Sequence, residues 1–150
     1  MRGLWDTLIA EAAAESPLWR DALRPDPERL PVFSPLAPER FALALETIYE
    51  GYLVHYGRAR LFAPPGADEA ILLGDYLYAH GLVRIADTGE LDAVAALAEL
   101  ISTCAHLRAE GPPSAGEMRD GEAWVQTCVR LGGDVSGADG ALATHADRFG

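Results

Sequence analysis

The chain contains no lysine: all twelve of its basic residues are arginine, set against 23 Asp and Glu, for a formal net charge of −11. Gripping a phosphate backbone or an anionic membrane surface takes clustered cations, so this balance argues against nucleic acid as the main partner. Acidity of this degree keeps a protein soluble, and the exclusive use of arginine reads as codon bias before selection for bidentate contacts. Cysteine is scarce too. Cys104 and Cys128 are too few and too far apart for a zinc framework, and without an export signal they read as reduced, buried thiols of a cytoplasmic protein. The opening Met1-Arg2-Gly3-Leu4-Trp5-Asp6 meets polar residues and an acid before any apolar signal-peptide core forms. No window approaches the ~18 uncharged apolar residues of a membrane span. Strand-like alternation is missing, as is any Asn-Gly hairpin signal.

What remains is helix. Hydrophobic residues make up 49% and charged residues 23% of the 150, ordinary for a globular protein and enough for one domain that buries about 70% of its unfolded surface. The spacing predicts a single all-α domain over residues 1–150, a bundle of about five to six helices. Residues 3–15 place Leu4, Trp5, Leu8 and Ile9 on one side of a short helix that Ser16-Pro17 stops. Pro25 to Pro38 reads as a stiff, extended connector without a core of its own. Pro38 and Glu39 open a helix in which Phe41, Leu45, Ile48, Tyr52 and Tyr56 recur to Gly57. Ala63-Pro64-Pro65-Gly66 breaks the chain, and Asp68 and Glu69 start a helix that runs to Ala86.

That helix and the next, residues 91–107, are apolar on every side, which predicts burial on all sides as a central antiparallel pair joined by the turn at Asp87-Thr88-Gly89-Glu90. In the second of them Leu91, Val94, Ala98, Ile101 and Ala105 make one stripe, and Leu97, Leu100, Cys104 and Leu107 another. Two such helices are many for a chain of 16.1 kDa, so one face is predicted to be covered by a second chain in a dimer. Past Gly111-Pro112-Pro113, Ser114-x-x-Glu117 is a capping-box pattern, followed by an apolar face of Trp124, Val125, Cys128 and Leu131. Ser136-x-x-Asp139 starts a weak last helix bearing Ala141, Leu142, His145 and Phe149.

Three pieces of the chain resemble the trans-isoprenyl diphosphate synthase family. Ala44-Leu45-Glu46-Thr47-Ile48 followed by Leu53-Val54-His55 matches the helix that leads into that family's first aspartate-rich motif. Ile71-Leu72-Leu73-Gly74-Asp75-Tyr76-Leu77-Tyr78-Ala79 is similar to a later helix, and Leu97-Ala98-Glu99-Leu100-Ile101 to the one after it. Together they cover residues 38 to 111. The departure is as informative as the likeness: if His55 holds the pre-aspartate position, the metal-ligand carboxylates of the family fall on Tyr56, Gly57 and Arg60. Magnesium needs oxygen ligands that bridge it to phosphates, and Arg60 would repel it. The second aspartate-rich helix lies beyond the length of this chain. The resemblance therefore implies a helical fold that pairs through the helices of this region and lacks prenyl-elongating chemistry.

Other chemistry is thin. Glu46 and Glu50 lie one helical turn apart, but no Glu-x-x-His partner exists to complete a bundle metal site. Asp75 stands in an apolar helix and is predicted to be buried and paired with Arg84, Arg108 or Tyr78, with a ligand-facing acid as the alternative. His80 and His106 read as neutral core histidines. No Ser or Cys sits on a nucleophile elbow, and Gly132-Gly133 lacks a phosphate-loop lysine. The tyrosines 49, 52, 56, 76 and 78 read as core, with a pocket for an apolar ligand as the alternative. Candidate binding residues are His55, Tyr56, Arg58, Arg60 and Asp75; no catalytic residue, metal ligand or cofactor is assigned. The leading functional expectation is a non-catalytic, isoprenyl-synthase-like subunit that packs on itself or on a larger catalytic relative. The alternatives are a binding protein for an apolar or prenyl ligand, and an enzyme using His55, Arg58 and Arg60 on a phosphorylated substrate.

Overall fold

A computed structural model describes residues 3–110 and 119–149, and the described chain is an all-α bundle with no β-strand. Its helices are α1 (Leu4–Glu15), α2 (Pro17–Asp21), α3 (Ala42–Tyr56), α4 (Ala67–Ala86), α5 (Leu91–Ala109), α6 (Arg119–Arg130) and α7 (Ala138–Asp147). Ser16 does end α1, but its extended backbone and hydroxyl then cap α2, accepting from the Leu18 N–H at 3.1 Å with Pro17 at the first helical position. The predicted capping box Ser114–Glu117 lies outside the described residues. α7 starts after Gly137, whose φ of +79° only glycine adopts without strain.

Helix α3 is the axis of the molecule: every residue from Ala44 to Leu53 is buried. It runs antiparallel to α4, since His55 lies against Gly74 while Ile48, two turns earlier, lies against Gly81. Small residues make this approach possible. A Cβ on Gly51 would sit 3.0 Å from the Gly74 carbonyl oxygen, and one on Gly81 would sit 2.4 Å from Ile48 Cγ1. On one side of α3 the core is built from Phe41, Leu45, Ile48, Tyr49, Leu97, Leu100, Cys104 and Trp124. On the other, Leu8, Ala12, Trp19, Leu61, Phe62, Leu73 and Leu77 tie α1 and α2 to α4. The loop after α3 is pinned by backbone pairing, Arg24 N–H to Leu61 O at 2.9 Å and Ala63 N–H to Ala22 O at 2.7 Å.

Two expectations are corrected by this packing. The proline-rich segment is no bare connector: Val32, Phe33 and Leu36 enter the main core, and Phe33 stacks on Trp124 at 5.6 Å. Proline fixes φ without dictating exposure, so an extended stretch carrying aromatics can line a core as well as a helix does. Nor are α4 and α5 buried all round. The antiparallel pair with the closest packing is α3 with α4, and α5 packs beside α4 and α6. Ile71, Leu72 and Val83 are 56%, 57% and 54% exposed and Leu91 is 75% exposed, because α3 packs on the opposite side of α4, the side of Gly74, Leu77 and Gly81.

Candidate functional site

The residues singled out at the end of α3 divide into a buried and an exposed set. Arg60 belongs to the first. Its guanidinium is wholly buried between Glu46 and Glu50, with Nη1 donating to Glu46 Oε1 at 2.7 Å and Nε to Glu50 Oε1 at 3.1 Å. Tyr49 and Trp5 offer ring faces to it at 5.0 Å each. The remaining oxygens are used as well: Ser34 Oγ donates to Glu46 at 2.6 Å and the Leu61 N–H to Glu50 at 2.8 Å. Burial alone would lower the Arg60 pKa, but the charges of Glu46 and Glu50 outweigh it and hold it raised. The two glutamates that lie one turn apart thus serve to bury a cation, not to hold a metal, and Arg60 is out of reach of any substrate. Among the described residues no group of three or more His, Cys, Asp and Glu side chains is placed to hold a metal ion.

A second buried network was not foreseen. Arg108 donates to Asp120 Oδ2 at 2.6 Å and to the Tyr52 hydroxyl at 2.7 Å. His145, fully buried, has Nδ1 2.7 Å from the Tyr49 hydroxyl and Nε2 3.6 Å from Asp120 Oδ1. Nothing local in the sequence joins these residues, because the chain of contacts runs through α3, α5, α6 and α7. It sits among Phe33, Tyr49, Tyr52, Trp124 and Phe149. Burial pushes the Tyr49 phenol well above its ordinary value, so the hydroxyl is a hydrogen-bonding group and no base. The arrangement orders the end of the bundle. It offers no exposed nucleophile.

Tyr56 and Asp75 form the exposed set, with the largely buried His55 between them and Gly74. His55 Nε2 is 3.1 Å from the Ile71 carbonyl oxygen and 3.5 Å from Asp75 Oδ1. Asp75 is therefore corrected from buried to open, with 66% of its side chain exposed and His55 in place of the predicted Arg84, Arg108 or Tyr78. Two shallow cavities open on either side of His55 and Tyr56. One, of about 440 Å³, is lined by Ala105, Arg108 and Ala109; the other, of about 460 Å³, by Ala67, Ala70 and Ile71. The Arg108 guanidinium lies 5.8 Å from the Tyr56 ring and 4.3 Å from that of Phe149. Burial raises the Tyr56 pKa, with the nearby Cys104 adding to the rise.

Arg58 turns the other way and donates to the Asp147 carbonyl oxygen at 2.7 Å, latching the chain's end. His55, Arg58 and Arg60 therefore do not converge on one site. His80 and His106 depart from the core reading. His80 is partly exposed and 2.9 Å from Glu11 Oε2, and His106 is 77% exposed. Cys104 and Cys128 are free and buried as read from the sequence, their thiols pushed up to about 12 by burial.

No family model matches the chain, and neither a curated protein nor a solved structure does. Among the described residues no helix is long and apolar enough to cross a membrane.

Proposed function

We propose that the chain is a non-catalytic, isoprenyl-synthase-like subunit that acts through helix–helix association, docking by the outer face of α4 and α5. One observation carries the reading: four large apolar side chains of this hairpin, Ile71, Leu72, Val83 and Leu91, stand more than half exposed. The Leu97, Leu100 and Cys104 stripe of α5 is spent on the core, while Leu91, Ala98 and Ala105 of the other stripe stay outside. Large exposed apolar side chains gathered on one helical hairpin support an interaction site. The prenyl-synthase lineage rests on the sequence resemblance, and the cytoplasmic placement on the two unpaired thiols.

The test has two arms. Light scattering on the complex isolated from the native host is expected to give a mass above the 16.1 kDa of one chain, and a strict monomer at micromolar concentration would count against association. Incubation with allylic and isopentenyl diphosphates and magnesium is expected to release no pyrophosphate; turnover would overturn the non-catalytic part.

The second reading, binding of an apolar ligand, is favoured by the paired cavities that share His55 and Tyr56, each within the ~300–1,000 Å³ of small-molecule sites. A rise in melting temperature with a prenyl alcohol, lost in Tyr56→Ala, would support it, and an unmoved melting temperature up to millimolar ligand would remove it. The third reading, chemistry on a phosphorylated substrate, loses its basis with the burial of Arg60.

A further inference from the structure

We infer that the outer face of α4 and α5 takes an amphipathic helical partner whose apolar stripe is flanked at both ends by arginine or lysine, in preference to a second copy of this chain. The inference rests on the docking reading above and adds the chemistry of the occupant.

The uncharged part of the face on α4 is the half between Asp75 and Asp87, and the exposed Glu99 on α5 is paired with Arg130. Asp68, Leu72, Asp75, Ala79, Val83 and Ala86 fall on one stripe of α4 at helical spacing, and all six are exposed. No charged residue interrupts that stripe between Asp75 and Ala86. On α5, Leu91, Ala95, Ala98, Ser102 and Ala105 are exposed in the same way. Asp87 and Asp92 stand exposed at the turn between the helices, and Asp68 at the far end of α4.

What decides the occupant is where the cations are. Among the described residues every arginine except Arg58 lies within 4.0 Å of a carboxylate. None of those pairs involves Asp68, Asp75, Asp87 or Asp92. The described arginines other than Arg58 are thus paired within the molecule, and the excess of acid is left outside, with part of it framing this apolar band. A second copy would bring the same acids, and its one described arginine without a carboxylate, Arg58, is held on the Asp147 carbonyl oxygen, while like-charge juxtaposition at an interface is unfavourable. A partner that carries cations at the two ends of its apolar stripe neutralises them.

The test uses the whole chain and three synthetic helical peptides whose end charges are spaced to span Asp75 to Asp87. One has a Leu/Ala stripe with arginines at both ends, one the same stripe with glutamates at the ends, and one the arginine ends with the stripe scrambled. By fluorescence anisotropy the first is expected to bind about tenfold tighter than either other, with the gap to the glutamate peptide closing as salt rises. The double change Asp87→Arg with Asp92→Arg should shrink that gap, while Asp139→Arg, on α7 and away from the face, should not. Val83→Glu should abolish binding with the far-UV circular dichroism unchanged.

Equal binding of the arginine- and glutamate-ended peptides would overturn the choice of occupant and leave the docking face standing. So would low-salt dimerisation of the chain that Val83→Glu removes, since the second copy would then be the occupant. Equal binding of the scrambled peptide would show charge attraction alone and overturn the inference. If no peptide binds and Val83→Glu leaves the complex from the native host intact, the docking reading falls with it.

Discussion

Arg60 donates through Nη1 to Glu46 Oε1 at 2.7 Å, and neither side chain has meaningful contact with solvent. Glu50 completes the triad from the next turn of α3. Taking one member away from such a set leaves charge uncompensated in the interior, which costs about 3–5 kcal/mol. Arg60→Met is therefore expected to lower the unfolding free energy by about that amount, read from urea denaturation at constant slope. A loss below about 1 kcal/mol would mean the triad is wetter than its geometry indicates.

Periodicity located the three longest helices, α3, α4 and α5, because apolar spacing and the prolines that break it are local signals; α4 and α5 begin and end within two residues of their reading. Partners are non-local. Arg60 reaches Glu46 only because residues 57–66 fold back beside Leu23 and Ala22, and no spacing rule encodes that return. The same holds for Asp120, His145 and Arg108, which lie on three helices. Asp75 was misread for a different reason. A helix that is apolar all round gives no indication of which side faces out, so its single acid looked buried where it in fact marks the exposed stripe.

The α3–α4 contact supplies a paired test at two glycines. Gly81→Ala would place a methyl 2.4 Å from Ile48 Cγ1 and 3.2 Å from the Ala44 carbonyl oxygen, so the helices must part. A cost of about 1–3 kcal/mol is expected. Gly140 lies in α7 with open space around its would-be Cβ, and Gly140→Ala should stabilise by about 0.5–1 kcal/mol through the lower entropy of the unfolded chain. Thermal melts of the two variants should move in opposite directions; a shared direction would contradict the packing.

Acid should loosen the attachment of α1 to α4. The hydrogen bond from His80 holds the Glu11 pKa low against the opposing effect of burial, and the Arg84 charge adds to it. Glu28 is held low in the same way, first by its hydrogen bond from Arg148. A depressed folded-state value means the proton binds the unfolded chain more tightly. The contribution is thus present above the ordinary 4.5 and is lost as pH falls through the folded-state value. Stability is expected to decline below about pH 4.5, and Glu11→Gln should flatten part of that decline. An unchanged slope in the variant would exclude Glu11 as a contributor.

The two thiols predict the opposite limb. Burial raises Cys104 and Cys128 from 9.0 to about 12, with the Arg108 charge opposing it at Cys104. Below pH 9 both states keep the proton and nothing changes. Between 9 and 12 the unfolded chain loses a proton that the folded chain retains, so stability falls as pH rises, by about 1.4 kcal/mol per pH unit for each thiol. Tyr49 and Tyr78, raised by burial from 10.0, act in the same direction. Replacing Cys104 and Cys128 together with alanine costs packing but should remove their share of the slope, so denaturation midpoints of the variant and the parent chain should converge from pH 8.5 to 10.5. Parallel curves over that range would show that the thiols titrate alike in both states. Rapid modification of either cysteine by a thiol reagent at neutral pH, under native conditions, would say the same by an independent route, since a buried protonated thiol is a poor nucleophile.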